Sequence, residues 1–430
     1  MLRRLLIFLL MVGSVVGGSY WAWRALQVEP PLQHATRLIN TGDLFGAQVV
    51  LRGAIKSEPR NAEAHFMLAK TQLATDDWVS AEKEARSLRT LGYDRSAVAE
   101  LLVRAYSMQG HYQDILADVP AVASNPDEQY LNLVLRSVAF LGMKDIGLAQ
   151  QLINAAAALA PNAFLVHLQK ARLALAQNDI AAGLKEADRA IGLEPTSVEA
   201  LMVKSDLLEQ EHNTVEAVRM LDQAVAAEPM DQDVRMKRAG LLIKIDGDRA
   251  AREDVDAVFN ITPTNPSAMY YNALLIYRSG QFADANVAFD KLGLQADQFP
   301  RSYYYKAEVA LKLGNKQSAL ESLDRFLKLE PTDGDGLRLV AQIDLDEAQP
   351  DQAVTALRPA TGPDSHDAAA FDLLGRAYFM LGRTPDAISA YRQATIIAPE
   401  NKDYAAHLAA AQVPFGAAPV PGPDAKELPP

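Results

Sequence analysis

The sequence predicts an all-α fold, a solenoid of about eleven 34-residue helix-turn-helix units, on three observations. The first is a proline clock. Pro59, Pro161, Pro195, Pro229, Pro263, Pro331 and Pro399 share one 34-residue frame, and Pro399 lies ten periods after Pro59 with no insertion between them. The second is a pair of positions in every period that hold short side chains. The third is helix punctuation with the same period: glycine between the two helices, proline after the second, and a capping residue two positions on. Pattern, punctuation and capping agree, which is what a sequence that specifies one structure does.

Composition sets the outer bounds. The 430 residues are 49% hydrophobic, enough for one continuous elongated core. Formal net charge is −12, and because the first 26 residues carry three arginines and no acid, the remainder carries −15. An acidic body lacks the clustered lysine and arginine that nucleic-acid binding requires. Cysteine is absent, which excludes disulfides, thiol nucleophiles and cysteine-ligated zinc.

The first element is residues 1–27. Arg3 and Arg4 precede an apolar run from Leu5 to Ala22, and Tyr20, Trp21 and Trp23 follow at its far end. As a helix, the run spans about 27 Å, just short of a hydrocarbon core of about 30 Å. The arginines favour a cytoplasmic N-terminus, and the aromatic residues suit the opposite interface. The segment reads as a single transmembrane helix. A cleaved signal peptide, with Gly17 and Ser19 before the cut, is the alternative.

The solenoid follows, over residues 28–401. With each unit numbered from 1 to 34, starting at residue 28, position 8 is Ala, Ser or Gly in every unit except the third, which has Val103. Position 20 is equally small, with Ile115 the exception. Two antiparallel helices approach closely only where side chains are short, so these positions predict the crossing point. Larger residues surround it, among them Leu51, Ile153, Phe289 and Tyr391 at position 24. Gly42, Gly110, Gly280, Gly314 and Gly382 at position 15 predict left-handed stops to the first helix. Asn61, Ser197, Asp231, Asn265, Asp333, Asp367 and Asn401 predict N-caps.

These residues resemble the tetratricopeptide repeat (TPR) family. The last unit matches it most closely, with Phe371, Leu374, Gly375, Tyr378, Gly382, Ala387, Tyr391, Ala394 and Pro399. The resemblance implies a right-handed superhelix whose concave groove is lined by the first helices, and it implies a protein-binding role. It also resembles membrane-anchored bacterial proteins of this family. One clamp used within the family, lysines and asparagines that hold a C-terminal carboxylate, is not reproduced. Position 9 here runs Lys70, Arg104, Val138 and Arg172.

Two units depart from the pattern. Pro120 in the third and Pro350 and Pro359 in the tenth predict shortened or kinked second helices, since an interior proline costs about 3 kcal/mol. After the solenoid, residues 402–412 predict a capping helix that covers the open end with Ala405, Leu408 and Ala409. Residues 413–430 hold six prolines and read as a disordered or polyproline tail.

No catalytic constellation appears. None of the seven histidines forms a two-histidine metal motif, and His65 and His167, both at position 4, read as packing residues. Asp333–Gly336 lacks the closing glutamate of a calcium loop. No cofactor, no metal and no enzymatic activity are expected.

One surface stands out. Groove positions in units eight and nine hold Tyr270, Tyr277, Arg278, Arg301, Tyr304 and Lys312, with Lys244 just before and Tyr271 and Tyr305 adjacent. Tyrosine and arginine give large contact area at low entropic cost and suit a peptide- or protein-binding groove. Packing between neighbouring helices is the competing explanation for several of these rings, and for Tyr303 it is the preferred one. The sequence therefore predicts a scaffold in the inner membrane, single-pass, with its body in the periplasm. Its partners would be other proteins of cell-envelope assembly, such as exopolysaccharide or protein export. A secreted soluble chaperone or carrier, and an accessory subunit of an enzyme complex such as cytochrome c maturation or glycan synthesis, are the alternatives.

Overall fold

The computed structural model of the chain describes residues 29–123 and 125–413. The expected anchor, residues 1–27 with Tyr20, Trp21 and Trp23, lies outside the described residues, as do residues 414–430 of the tail. No helix among the described residues is long and apolar enough to cross a membrane. All regular structure in the described residues is helical. The chain divides into two compact bodies, one ending at Ala268 and the other beginning at Met269.

The N-terminal body holds seven helix pairs. They are Pro31–Asn40 (α1) with Leu44–Ser57 (α2), Ala62–Leu73 (α3) with Trp78–Leu91 (α4), and Arg95–Gln109 (α5) with Tyr112–Asp118 (α6). Next come Pro126–Gly142 (α7) with Ile146–Leu159 (α8), Phe164–Ala176 (α9) with Ile180–Leu193 (α10), and Val198–Gln210 (α11) with Thr214–Ala227 (α12). Gln232–Lys244 (α13) with Asp248–Ile261 (α14) completes it. The second body begins within Pro266–Arg278 (α15), whose partner is Phe282–Asp290 (α16). It continues with Arg301–Lys312 (α17) and Lys316–Leu329 (α18), Gly334–Asp346 (α19) and Pro350–Leu357 (α20), and Ala368–Met380 (α21) and Thr384–Ile397 (α22). Lys402–Gln412 (α23) closes the series.

The crossing point is where the periodic small residues placed it. Every residue at positions 8 and 20, from Ala35 and Ala47 to Gly375 and Ala387, is buried. Leu51, Ile153, Leu221 and Leu323 at position 24 are fully enclosed beside it. Where glycine takes such a position, a neighbour fills the space. A Cβ on Gly183 would lie 2.5 Å from Cδ2 of Leu207, and one on Gly375 would lie 2.6 Å from the Tyr391 ring.

The turn between the two helices is more uniform than its sequence. The five expected glycines at position 15 have φ between 72° and 83°. The other six units adopt the same left-handed geometry with Asp76, Lys144, Asn178, His212, Asp246 and Ala348, at φ between 55° and 61°. Tertiary packing thus imposes the turn whether or not glycine is present. Left-handed backbone is costly for alanine, which has no side chain to bond locally. Ala348→Gly is therefore expected to stabilise the C-terminal body by roughly 0.5–1 kcal/mol, a relief of native strain only partly offset by glycine's greater unfolded-state freedom. A urea melt checks this.

All seven expected N-caps accept a backbone hydrogen bond, from Asn61 to Ala64 N–H through Asn401 to Asp403 N–H. A second row of caps was not foreseen. Asp43, Asp77, Asp145, Asp179, Asn213 and Asn315 cap the second helices, each accepting from the N–H three residues on.

The shortened helices appear where proline predicts them. α6 has seven residues and stops before Pro120, and Arg136 of the next helix donates to its freed carbonyls at Leu116 (3.0 Å) and Val119 (2.7 Å). α20 has eight residues, starts on Pro350 and gives way to a 3₁₀ turn containing Pro359. A third short helix has no proline to announce it. α16 ends at Asp290 and a 3₁₀ turn runs from Gly293, at φ 53°, to Gln298. The capping helix presents a different face from the expected one. Ala405 and Ala409 are exposed, while Leu408 and Ala411 pack on Tyr391 and His407 bonds to Asp372 at 2.7 Å. The error is one row around the helix: the buried stripe runs 404, 407, 408 and 411.

Positions 4 and 23 form a recurrent polar pair inside the repeats. His65 bonds to Glu84 at 2.5 Å and His167 to Glu186 at 2.7 Å, and both imidazoles are buried, as a packing role requires. In the seventh repeat the pair is Arg235 and Asp254, with Arg238 added.

Candidate protein-binding surfaces

In the C-terminal body, α15 and α17 bring the expected aromatic residues together. Their spacing of one repeat places equivalent side chains on adjacent first helices. Tyr270 stacks on Phe299 with centroids 4.9 Å apart, and its ring meets Tyr271 at 5.3 Å. Tyr277 meets Tyr305 at 5.4 Å, and Tyr304 meets Phe326 at 5.7 Å. These tyrosines are all half-buried, with Tyr270, Tyr277 and Tyr305 packed on the core. Tyr303 packs likewise and donates its hydroxyl to Asp297 at 2.6 Å.

Polar groups bind the cluster into one network. Glu308, which the sequence reading did not single out although it occupies groove position 9, accepts from Tyr277 at 2.8 Å and from Tyr304 at 3.4 Å. Arg301 lies 5.2 Å over the Tyr304 ring and pairs with Asp333 (3.0 Å) and Asp335 (2.9 Å). Asp333 also caps α19, so the aspartates of the faint calcium-like stretch serve a cap and an ion pair. Burial, then the neighbouring Glu308 carboxylate, pushes Tyr304 up to about 12. Burial also raises Tyr270, where Tyr305 and Tyr271 add to it, and Tyr277, where the bond to Glu308 adds to it. Burial alone would pull Arg301 down, but Asp335 and Asp333 outweigh it and hold it up. All of these phenols stay neutral hydrogen-bond donors near pH 7.

The outer edge of the cluster is charged. Arg278 ends α15, Lys312 ends α17, and both are exposed. The arrangement is a ledge of half-buried rings with cationic residues at its edge, which offers stacking area. Lys244 belongs to the N-terminal body, where its ammonium pairs with Glu209.

The N-terminal body has an inner face of its own. Groups from four repeats fall within electrostatic reach of one another. Glu228 is raised by burial first and then by Asp231 and Glu199, with Arg104 and Lys70 opposing. Arg172 is lowered by its enclosure, with Glu199 and Asp206 opposing and Arg104 reinforcing. Glu100, Arg104, Glu199 and Glu228 are nevertheless wetted. Water-accessible side chains surrounded by protein describe a solvent-filled concavity. The position-9 cations Arg104 and Arg172 lie within it.

The solved structures to which the chain is similar include the following three, each at a TM-score below 0.5. Yeast Tom70 is 16% identical, covering 92% of this chain and 91% of its own, with a TM-score of 0.45. Pseudomonas aeruginosa PilF is 16% identical over 50% of this chain and 99% of its own, also at 0.45. A tetratricopeptide repeat protein from Parabacteroides merdae is 15% identical over 66% and 99%, at 0.42. At these scores nothing about function passes from them to this chain. No curated protein sequence matches it. The model of the tetratricopeptide repeat family matches residues 168–229, 270–335 and 340–402, in register with the helix pairs α9–α12, α15–α18 and α19–α22. These three stretches therefore carry tetratricopeptide repeats, and proteins with such repeats generally mediate protein–protein interactions.

Proposed function

We propose that this chain is a non-enzymatic scaffold, held at the inner membrane by residues 1–27, that captures a protein partner on the extracytoplasmic side. The observation that carries the binding role is the ledge on α15 and α17, where Tyr270, Tyr271, Tyr277, Tyr304 and Tyr305 adjoin Arg278, Arg301 and Lys312. Its rings are already immobilised by packing, so little side-chain entropy is lost on binding. An acidic or C-terminal carboxylate-bearing segment suits its cationic edge. The anchor rests on the sequence alone, on Arg3 and Arg4 before the apolar run and on Tyr20, Trp21 and Trp23 after it. Assembly of the cell envelope, including exopolysaccharide or protein export, is the setting that fits an anchored scaffold.

The anchor has a direct test. Membranes from cells that express the full-length chain are washed with alkaline carbonate. Retention in the pellet is expected, and release into the supernatant would remove the anchor from the proposal.

A further inference from the structure

The N-terminal body curls far enough for its second repeat to touch its seventh. Gln232, the first residue of α13, donates from Nε2 to the carbonyl of Ala74 at 3.0 Å across a sequence separation of 158 residues. One repeat lower, Met230 sits against Gly42 so closely that a Cβ there would lie 2.7 Å from its sulfur. Beside these contacts the fit is open. A cleft of about 440 Å³ separates the two sides, lined by Gly42 and Phe45 on one and Met230, Arg235, Asn260 and Ile261 on the other.

The seam gathers like charges. Asp76 lies two residues from Ala74, and Asp231 and Asp233 flank Gln232, so one hydrogen bond draws three carboxyl groups together. None of the three has an ion-pair partner at the seam among the described residues. Asp231 is committed as the cap of α13, accepting from Val234 N–H at 3.0 Å. Asp76 has the indole of Trp78 as its hydrogen-bond partner, and Arg104 on α5 is a cation that offsets Asp76 and Asp233. Glu228, close behind, adds further negative charge near Asp231.

We propose that this seam is a proton-sensitive clasp, which holds the N-terminal body closed while one of its facing carboxyl groups is protonated and loosens when all are ionised. Burial first, then Asp76 and Asp231, pushes Asp233 up to about 6, and burial followed by Asp231 raises Asp76. The sign follows from the raised value. A carboxyl group that titrates higher in the closed form favours closure at acid pH, and that contribution is lost as pH rises through about 6. The Asp233 residue is exposed to water despite the protein around it, so screening keeps the effect moderate. Loosening would open the inner face that carries Glu100, Arg104, Arg172 and Glu199.

The chain has no cysteine of its own, so two introduced cysteines can be labelled alone. Val49→Cys on α2 and Asp256→Cys on α14 are exposed and each lies one turn from the cleft. Spin labels there report the gap by pulsed dipolar spectroscopy in the full-length chain. One short distance is expected at pH 5, with a longer component growing in by pH 7.5. Asp233→Asn or Asp76→Asn, each isosteric, is expected to retain the short distance at both pH values. An unchanged distribution across this range overturns the clasp. So does lengthening on acidification, or a pH response that survives in both asparagine variants.

Discussion

Asp254→Ala is expected to destabilise the N-terminal body by about 3–5 kcal/mol, the cost of leaving buried charge without its partner. The Asp254 carboxylate is fully buried and receives Arg235 Nη1 at 2.7 Å and Arg238 Nε and Nη2 at 2.8 and 2.6 Å. Arg235 and Arg238 are themselves mostly enclosed, and only Arg238 has a second carboxylate, Asp222 at 2.9 Å. Truncation therefore leaves Arg235 with no carboxylate and only its Nε bond to the Pro229 carbonyl (2.7 Å), and leaves Arg238 with Asp222 alone. The contrasting pair is Arg249 with Glu253, at 3.6 Å and open to water on both sides. Glu253→Ala should cost under about 0.5 kcal/mol. Denaturant melts compare the two variants, and hydrogen exchange in α13 and α14 assigns the loss to this body. A cost for Asp254→Ala no larger than that for Glu253→Ala would mean the buried pair does not hold the seventh repeat together.

Gly375→Ala should destabilise the C-terminal body by about 1–3 kcal/mol, against the usual direction of such a change. In a helix interior, alanine is ordinarily better than glycine by about 1 kcal/mol. At Gly375, though, the new methyl would fall 2.6 Å from two carbons of the Tyr391 ring, which projects from α22 and is itself buried between α21 and the capping helix. A planar ring held on both sides cannot yield as a leucine tip can. Gly53 is the internal control, because nothing lies within 4 Å of a Cβ placed there. Gly53→Ala on α2 is expected to stabilise. Opposite signs for the two substitutions in thermal melts identify the helix crossing, rather than helix propensity, as the determinant.

The sequence carries the local rules of this fold because they are written within one repeat. Small residues at positions 8 and 20, the closing proline and the cap two residues later each act over a few residues, and the structure follows them. Position 15 is legible only where it is glycine. At Lys144 or Ala348 the same backbone is imposed by the packed helices on either side, which leaves no residue signature. The row of Asp and Asn caps at position 16 was visible in the sequence and could have been found by tabulating that position. The early end of α16 could not, because it is marked only by Gly293 and a 3₁₀ turn. The seam between Ala74 and Gln232 is illegible for a different reason. It results from small rotations accumulated over five repeats, and no local pattern records their sum. The aromatic ledge lies in between. Its tyrosines were identifiable from frame positions, but their engagement with Phe299, Phe326 and Glu308 depends on how neighbouring repeats meet. That engagement makes alanine substitution of Tyr270 and Tyr304 a poor probe of binding, since it would also remove packing.

The ledge is better tested from its exposed edge. A photo-crosslinking side chain is placed at Arg278 or Lys312 in the full-length chain, with Val287, exposed on the second helix α16, as the control position. Irradiation of intact cells is expected to give one discrete adduct with another protein from Arg278 and Lys312 and none from Val287. No adduct from either edge position, or the same adduct from Val287, would contradict the assignment of this face as the place where a partner sits.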